Sequence, residues 1–246
     1  MGALDEDAPN PEQDSAPGED QDAEQAPPGQ QRFRYRIVYA KDGPLRYTSQ
    51  LDLARIWERS LRRAGLALLY SQGFNPRPKV QLAVGLPLGY ASRCEIVDAW
   101  LETEIPDEPP VIDRLNAASP RGLTVSDVRP VDIHAPSLQS LVWSTTYLVT
   151  FREPPALADL SRRVEGLLAQ NEIWRERREK RVDLRPLIDR LSVIAEPAAG
   201  LEMRLAASAE RGTARPDEVL PELGLDPAGA LVVRTAIQFR PDASTG

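Results

Sequence analysis

Residues 32–240 pass twice through the order strand, helix, strand, strand, helix, strand. That order predicts an α+β fold of two ferredoxin-like (β-α-β-β-α-β) halves in tandem, preceded by a disordered acidic tail. Two observations carry the prediction. Apolar and polar residues alternate over segments of strand length, and between them run stretches with apolar residues at helical spacing. The halves share element order but no visible residue repeat. The expected division is a tail at 1–31, a first half at 32–130, a linker at 131–143, a second half at 144–240 and a disordered C-terminus at 241–246.

The tail is set apart by composition. Residues 1–31 hold nine acidic residues and no Lys or Arg, among Pro, Gln, Ala and Gly. Such a segment buries too little apolar surface to offset its ordering entropy, so it is expected to be disordered. The formal net charge of −7 over 246 residues therefore misleads, because the remainder balances 30 basic against 28 acidic residues. Within it, residues 32–90 concentrate eleven Lys/Arg against three Asp/Glu.

The first half opens with a strand at 32–40. Phe33, Tyr35, Ile37 and Tyr39 alternate with Arg32, Arg34, Arg36 and Val38, which predicts one basic face. Lys41-Asp42-Gly43-Pro44 turns the chain. Ser49 and Asp52 then read as a capping box with Asp in place of Glu. Leu53, Trp57, Leu61 and Ala64 form the core stripe of a helix whose other side projects Arg55, Arg59, Arg62 and Arg63. Gly65 suits the residue past its end, and Arg62 and Arg63 complement its dipole. Strands are expected at 66–70, 80–86, 95–104 and 123–129, with a helix at 109–118.

In the second half, strands are expected at 144–151, 201–207 and 231–239, and helices at 157–170 and 216–223, the latter opening on a Pro suited to its first turn. Residues 172–181 read as a charged strand or hairpin arm, exposed at an edge and protected by charge. Residues 182–194 read as a loop with a further strand or short helical turn. Asp183 and Arg185, two apart, are expected to pair, and with Arg181 they mark a candidate site facing the first half.

Several chemistries are excluded. A single Cys, Cys94, allows no internal disulfide and indicates a reducing compartment, so a cytoplasmic location is expected. One His and one Cys argue against a Zn site or an iron–sulfur cluster in this chain, so no metal or other cofactor is expected. There is no Walker or Rossmann glycine loop and no apolar run of transmembrane length. His134 reads as a structural or solvent-exposed residue, and Cys94, at a strand start, as a small core residue. No triad or paired acid–base set stands out, which favours a non-catalytic role.

What remains is a recognition surface. Tyr70-Ser71-Gln72-Gly73-Phe74-Asn75-Pro76-Arg77-Pro78-Lys79 packs cations, an aromatic ring and amides between turn residues. Gly73 permits close backbone approach, and Pro76 and Pro78 stiffen the mount for Arg77 and Lys79. Phe74 either stacks on an unpaired base or packs in the core, while Gln72 and Asn75 suit base edges. The arginine face of the preceding helix either tracks a phosphate backbone or is a solvated face paired with Asp52 and Glu58.

These residues resemble the radical-SAM-linked protein family, a domain of unknown function. The resemblance rests on Gly43-Pro44-Leu45-Arg46-Tyr47, Ser49-x-Leu51-Asp52-Leu53, Glu58-Arg59-x-Leu61-Arg62-Arg63-Ala64, the Tyr70–Pro76 run, Leu86-Pro87-Leu88-Gly89 and Val182-Asp183-Leu184-Arg185-Pro186-Leu187-Ile188. It implies an accessory role beside a radical-SAM protein with a cobalamin-binding region, in RNA metabolism. The chain departs from the family at two places where a His is frequent: Gln50 follows the Ser of the first motif, and Arg77 lies between the two prolines. Arg77 favours phosphate recognition over acid–base work.

The expected function is therefore a radical-SAM-associated accessory protein that binds structured RNA, tRNA or rRNA, through a basic helix–loop surface, with no membrane contact and no preference for DNA. Two alternatives stand beside it. One is a metal-independent RNA-processing or tRNA-modifying enzyme using Tyr70, Ser71, Lys79 and Arg185. The other is a protein adaptor for the radical-SAM partner without RNA contact.

Overall fold

A computed structural model describes residues 32–72, 74–105, 108–177, 180–196 and 198–240. The tails expected at 1–31 and 241–246 lie outside the described residues, as does Gly73. The first half runs β1 (Phe33–Lys41), a 3-10 turn (Gly43–Tyr47), α1 (Gln50–Arg63), β2 (Val80–Leu82), β3 (Ala91–Leu101), α2 (Glu108–Ala118) and β4 (Leu123–Val131). A short α3 (Leu138–Leu141) leads into β5 (Val142–Phe151) and α4 (Leu157–Leu168). The hairpin β6 (Trp174–Arg177) and β7 (Lys180–Asp183) follows, then β8 (Ile188–Ile194), β9 (Gly200–Ser208), β10 (Gly212–Thr213), α5 (Pro216–Val219) and β11 (Ala230–Phe239).

The architecture is α+β with a large, mostly antiparallel sheet. Nine strands lie in the order β10-β9-β5-β11-β3-β1-β4, with β2 added to β3 and β8 to β9. The parallel pairing of β11 with β3, through Val233–Ala91 and Arg234–Ser92, joins the last strand to the first half of the sheet. Arg234 locks this seam. Its guanidinium is buried and donates to Glu95 at 2.8 Å, to the Gly85 carbonyl at 2.7 Å and to the Tyr147 hydroxyl at 3.1 Å. No helix among the described residues is long and apolar enough to cross a membrane.

The helix-covered face holds the core. Leu53, Trp57, Leu61 and Ala64 are buried, as their spacing predicts, against Tyr35, Ile37 and Tyr39 of β1. Burying each large apolar side chain contributes about 1.5–3 kcal/mol. The edge of Trp57 meets Tyr39 with ring centroids 4.8 Å apart. A second cluster joins Tyr147, Val149, Leu160, Val164, Leu167, Met203 and Val219.

The opposite face of β1 corrects the sequence reading. Arg34 and Arg36 do not form a basic surface; both are buried on Asp98. Strand register explains this, because Arg36 lies directly opposite Asp98 and Arg34 opposite Trp100. Asp98 accepts from Arg34 at 2.9 and 2.7 Å and from Arg36 at 2.8 and 3.0 Å. The remaining Arg34 donors reach the Ala135 and Pro136 carbonyls at 2.6 and 3.0 Å. Trp100 and Phe239 lie beneath the two guanidiniums at 4.8 and 5.2 Å. Residues 131–143, expected as a linker, thus cover this face, with Leu138 fully buried and its N–H bonded to Gln81 at 2.8 Å.

Other elements differ in extent. The strand expected at 66–70 reduces to bridges Leu68–Leu101 and Tyr70–Pro78, and the one expected at 80–86 ends at Leu82. The helix expected at 216–223 splits into α5 and a 3-10 turn at Pro221, whose missing N–H cannot continue the ladder. The charged arm is a hairpin separate from the main sheet. It docks on the C-terminal region through Arg175–Glu222 at 3.0 Å and through the Arg177–Glu218 pair.

One turn depends on glycine. Gly122 has φ +95, and a Cβ there would stand 2.5 Å from the Asp42 carbonyl oxygen, while its own carbonyl accepts the Asp42 N–H at 2.8 Å. Gly122→Ala is expected to destabilise the fold by about 1–3 kcal/mol through backbone strain. A shift in the urea midpoint checks this; an unchanged midpoint refutes it.

Candidate nucleic-acid interface

The interface begins at α1. Ser49 caps it: its hydroxyl oxygen accepts the Asp52 N–H at 3.1 Å and donates to the Asp52 carboxylate at 2.8 Å. Ser49 therefore caps the helix, but the Asp52 carboxylate meets the Ser49 hydroxyl rather than its backbone N–H, so the expected capping box forms only in its Ser49 half. Arg55, Arg59, Arg62 and Arg63 are all exposed. Arg55 pairs with Asp52 at 3.2 Å and Arg62 approaches Glu58 at 3.9 Å. Such exposed pairs contribute about 0–1 kcal/mol and exchange readily for a phosphate. The Arg59 and Arg63 guanidiniums have no carboxylate partner among the described residues.

Residues 69–72 and 74–79 pair as the two arms of a hairpin beside the helix. Ser71 N–H donates to the Arg77 carbonyl at 2.8 Å, and Arg77 N–H to the Ser71 hydroxyl at 3.0 Å. Below this closure, Lys79 N–H bonds the Leu69 carbonyl, and both residues are tied to Trp100 of β3. The base of the hairpin therefore belongs to the sheet, while its tip projects. Phe74 at the tip is 106% exposed, so the alternative that packs it in the core does not hold. Gln72, Asn75 and Arg77 are exposed beside it, and Ser71 and Lys79 are half-buried. Tyr70 connects the two elements: its ring packs on the core, and its hydroxyl donates to Glu58 at 3.4 Å, the carboxylate that Arg62 approaches. Helix and hairpin thus offer one continuous surface.

Not every cation counted over 32–90 contributes to it. Arg34, Arg36 and Lys41 are buried. Lys41 donates to the Thr48 carbonyl at 3.0 Å, and burial pushes its ammonium pKa below the usual lysine range. Arg46 is half-buried and donates to the Gly89 carbonyl at 2.8 Å.

The second-half candidates have local duties. The Asp183 carboxylate accepts the N–H groups of Ile173 and Arg185 at 2.7 and 3.0 Å, so it meets the backbone of Arg185 rather than its guanidinium. Arg185 instead caps the end of α4, donating to the Gln170 and Leu168 carbonyls at 3.1 and 3.2 Å. Arg181 lies over the half-exposed Trp174 ring at 4.9 Å. All of these partners lie within residues 168–185. His134 is exposed, and its N–H bonds Asp132. Cys94 is half-buried, and burial pushes its thiol up to about 11. Among the described residues, no three His, Cys, Asp or Glu side chains gather as metal ligands.

Residues 34–216 match the family described as "Uncharacterized protein conserved in bacteria (DUF2344)". The chain belongs to this family. The DUF2344 match spans α1, the hairpin and residues 174–185 alike. No curated protein matches the chain. Among solved structures, it is similar to a chain of "Crystal Structure of a Cbf5-Nop10-Gar1 Complex", at 11% identity and TM-score 0.44, over 82% of this chain and 48% of that one. The DUF2344 chain thus spans about half that structure's length. It also resembles "Crystal Structure of an Unknown Protein from Galdieria sulphuraria", at 10% identity and TM-score 0.26, over 85% and 99% of the two chains. At these scores neither carries an argument about function.

One cation of the DUF2344 surface was not legible in the sequence. Arg114 of α2 is exposed and borders a groove with Arg63. It is one charged residue in an ordinary amphipathic helix, and only helix packing brings it to α1.

Proposed function

We propose that this DUF2344 protein is a cytoplasmic accessory protein that binds structured RNA through the exposed face of α1 and the tip of the 69–79 hairpin. The observation that carries the reading is Phe74. A fully exposed ring at the tip of a backbone-braced hairpin, beside Arg77 and the arginines of α1, suits base stacking next to phosphate neutralisation. The cations buried on Asp98 are outside this surface, so the interface is one edge of the molecule. The chain needs no resident cofactor for such a role.

The sheet is read as a duplication of two ferredoxin-like halves, 32–130 and 144–240. This is supported by equal neighbour orders: β2-β3-β1-β4 in one and β8-β9-β5-β11 in the other. The motif resemblance adds a radical-SAM/cobalamin partner. A surface for it is favoured by Tyr47, Leu51 and Leu88, three exposed apolar side chains at the start of α1 and the loop before β3. That loop is held by reciprocal bonds between Arg46 and Gly89.

The test is purification of the full chain from native cells at low salt, with crosslinking and sequencing of bound RNA. A defined RNA class crosslinked within residues 70–79 is expected. Arg62→Ala/Arg63→Ala is expected to weaken its binding about tenfold or more and to flatten the salt dependence by about 0.7–0.9 log units for each phosphate left without its cation. A stoichiometric protein partner that survives nuclease treatment, with no RNA, would replace this reading with the adaptor.

A further inference from the structure

Between α1 and α2 lies an open groove of about 440 Å³, bordered by Arg63, Ala64, Arg114, Ala117 and Ala118. Its walls are methyl groups and its charge is two guanidiniums, one from each helix. Like Arg59, neither Arg63 nor Arg114 has a carboxylate partner among the described residues, whereas Arg55, Arg62, Arg162 and Arg163 do. Helix-dipole compensation accounts for Arg63, which closes α1, but not for Arg114 in the body of α2. Arg114 reaches the end of α1. The position a Cβ on Gly65 would take lies 3.9 Å from Arg114 Nη1, an ordinary contact distance.

We propose that this groove binds the terminal phosphomonoester of an RNA strand lying on the α1–hairpin surface. The proposal rests on the RNA-binding reading and names the end that is recognised. Charge selects the ligand: a phosphomonoester carries about −1.5 to −2 at neutral pH, against −1 for a backbone diester, and two planar forks match it. Size agrees, since the groove falls within the 300–1,000 Å³ typical of small-ligand sites, and its alanine walls leave room for one nucleotide. The groove shares Arg63 with the α1 face, so a strand following Arg59 and Arg63 ends there.

The test uses the full chain and one labelled single-stranded RNA made with a 5′-phosphate, with a 3′-phosphate or with hydroxyls at both ends, alongside AMP and adenosine in calorimetry. One phosphorylated form is expected to bind about tenfold more tightly than the hydroxyl form, identifying which end enters. Arg63→Gln/Arg114→Gln is expected to erase that preference while retaining the thermal midpoint. Equal binding of all three RNAs by the wild type, or equal loss for all three in the variant, overturns the proposal. If no RNA binds but AMP binds and adenosine does not, the RNA reading falls and the groove stands. If RNA binds whatever its ends and AMP does not, the RNA reading stands and the groove falls.

Discussion

Asp98→Ala is expected to destabilise the protein by about 3–5 kcal/mol, because it leaves buried charge without a counter-charge. Asp98 is fully buried and accepts four hydrogen bonds from two guanidiniums that are themselves buried. With it removed, Arg34 keeps two carbonyls and a Trp face, and Arg36 keeps only the Phe239 face. Against a typical domain stability of about 5–15 kcal/mol, that loss is a large fraction. Asp98→Asn preserves shape and removes charge, so it is expected to fall between wild type and Asp98→Ala. Denaturant midpoints of the three proteins measure the effect. A basic-face reading of β1 predicts the opposite: little loss of stability and tighter RNA binding. A midpoint for Asp98→Ala within experimental error of wild type would restore that reading.

Phe74→Ala is expected to separate function from stability. The ring is wholly exposed and touches no core cluster, so its removal should leave the unfolding midpoint unchanged. A stacked base contributes about 1–3 kcal/mol, so RNA affinity should fall by about 5- to 150-fold, with little change in the salt slope because every phosphate keeps its cation. Arg62→Ala/Arg63→Ala should instead flatten that slope. The pair of variants therefore distinguishes stacking from charge neutralisation. If Phe74→Ala binds RNA as wild type does, the hairpin tip is not a base-stacking element. If Phe74→Ala loses stability instead, the ring has a structural partner.

The amino-acid sequence determined a good deal by itself. Helical spacing of Leu53, Trp57, Leu61 and Ala64 set the buried stripe of α1, and therefore which arginines face solvent. Alternation placed the long strands β1, β3, β5, β9 and β11 within a few residues of their observed bounds. Gly and Pro punctuation marked the hairpin around Phe74. These features are local: periodicity and turn chemistry depend on neighbours a few residues away.

Tertiary structure decided the fate of individual charges. Alternation in β1 revealed two faces but not what covers the second. Arg34 and Arg36 are buried because strand register sets Asp98 and Trp100 against them from sixty or more residues away, and because 135–136 supply carbonyls from farther still. Arg114 meets Arg63 only through helix packing, and Arg185 caps the end of α4 through the Gln170 and Leu168 carbonyls. A guanidinium costs much to bury alone and little when paired, so its position is settled by partners distant in sequence. Hydrophobic pattern, by contrast, is repeated over many residues and survives any single exchange. That is why the α+β class was legible from the chain, while the limits of the basic surface were visible only once the sheet had closed.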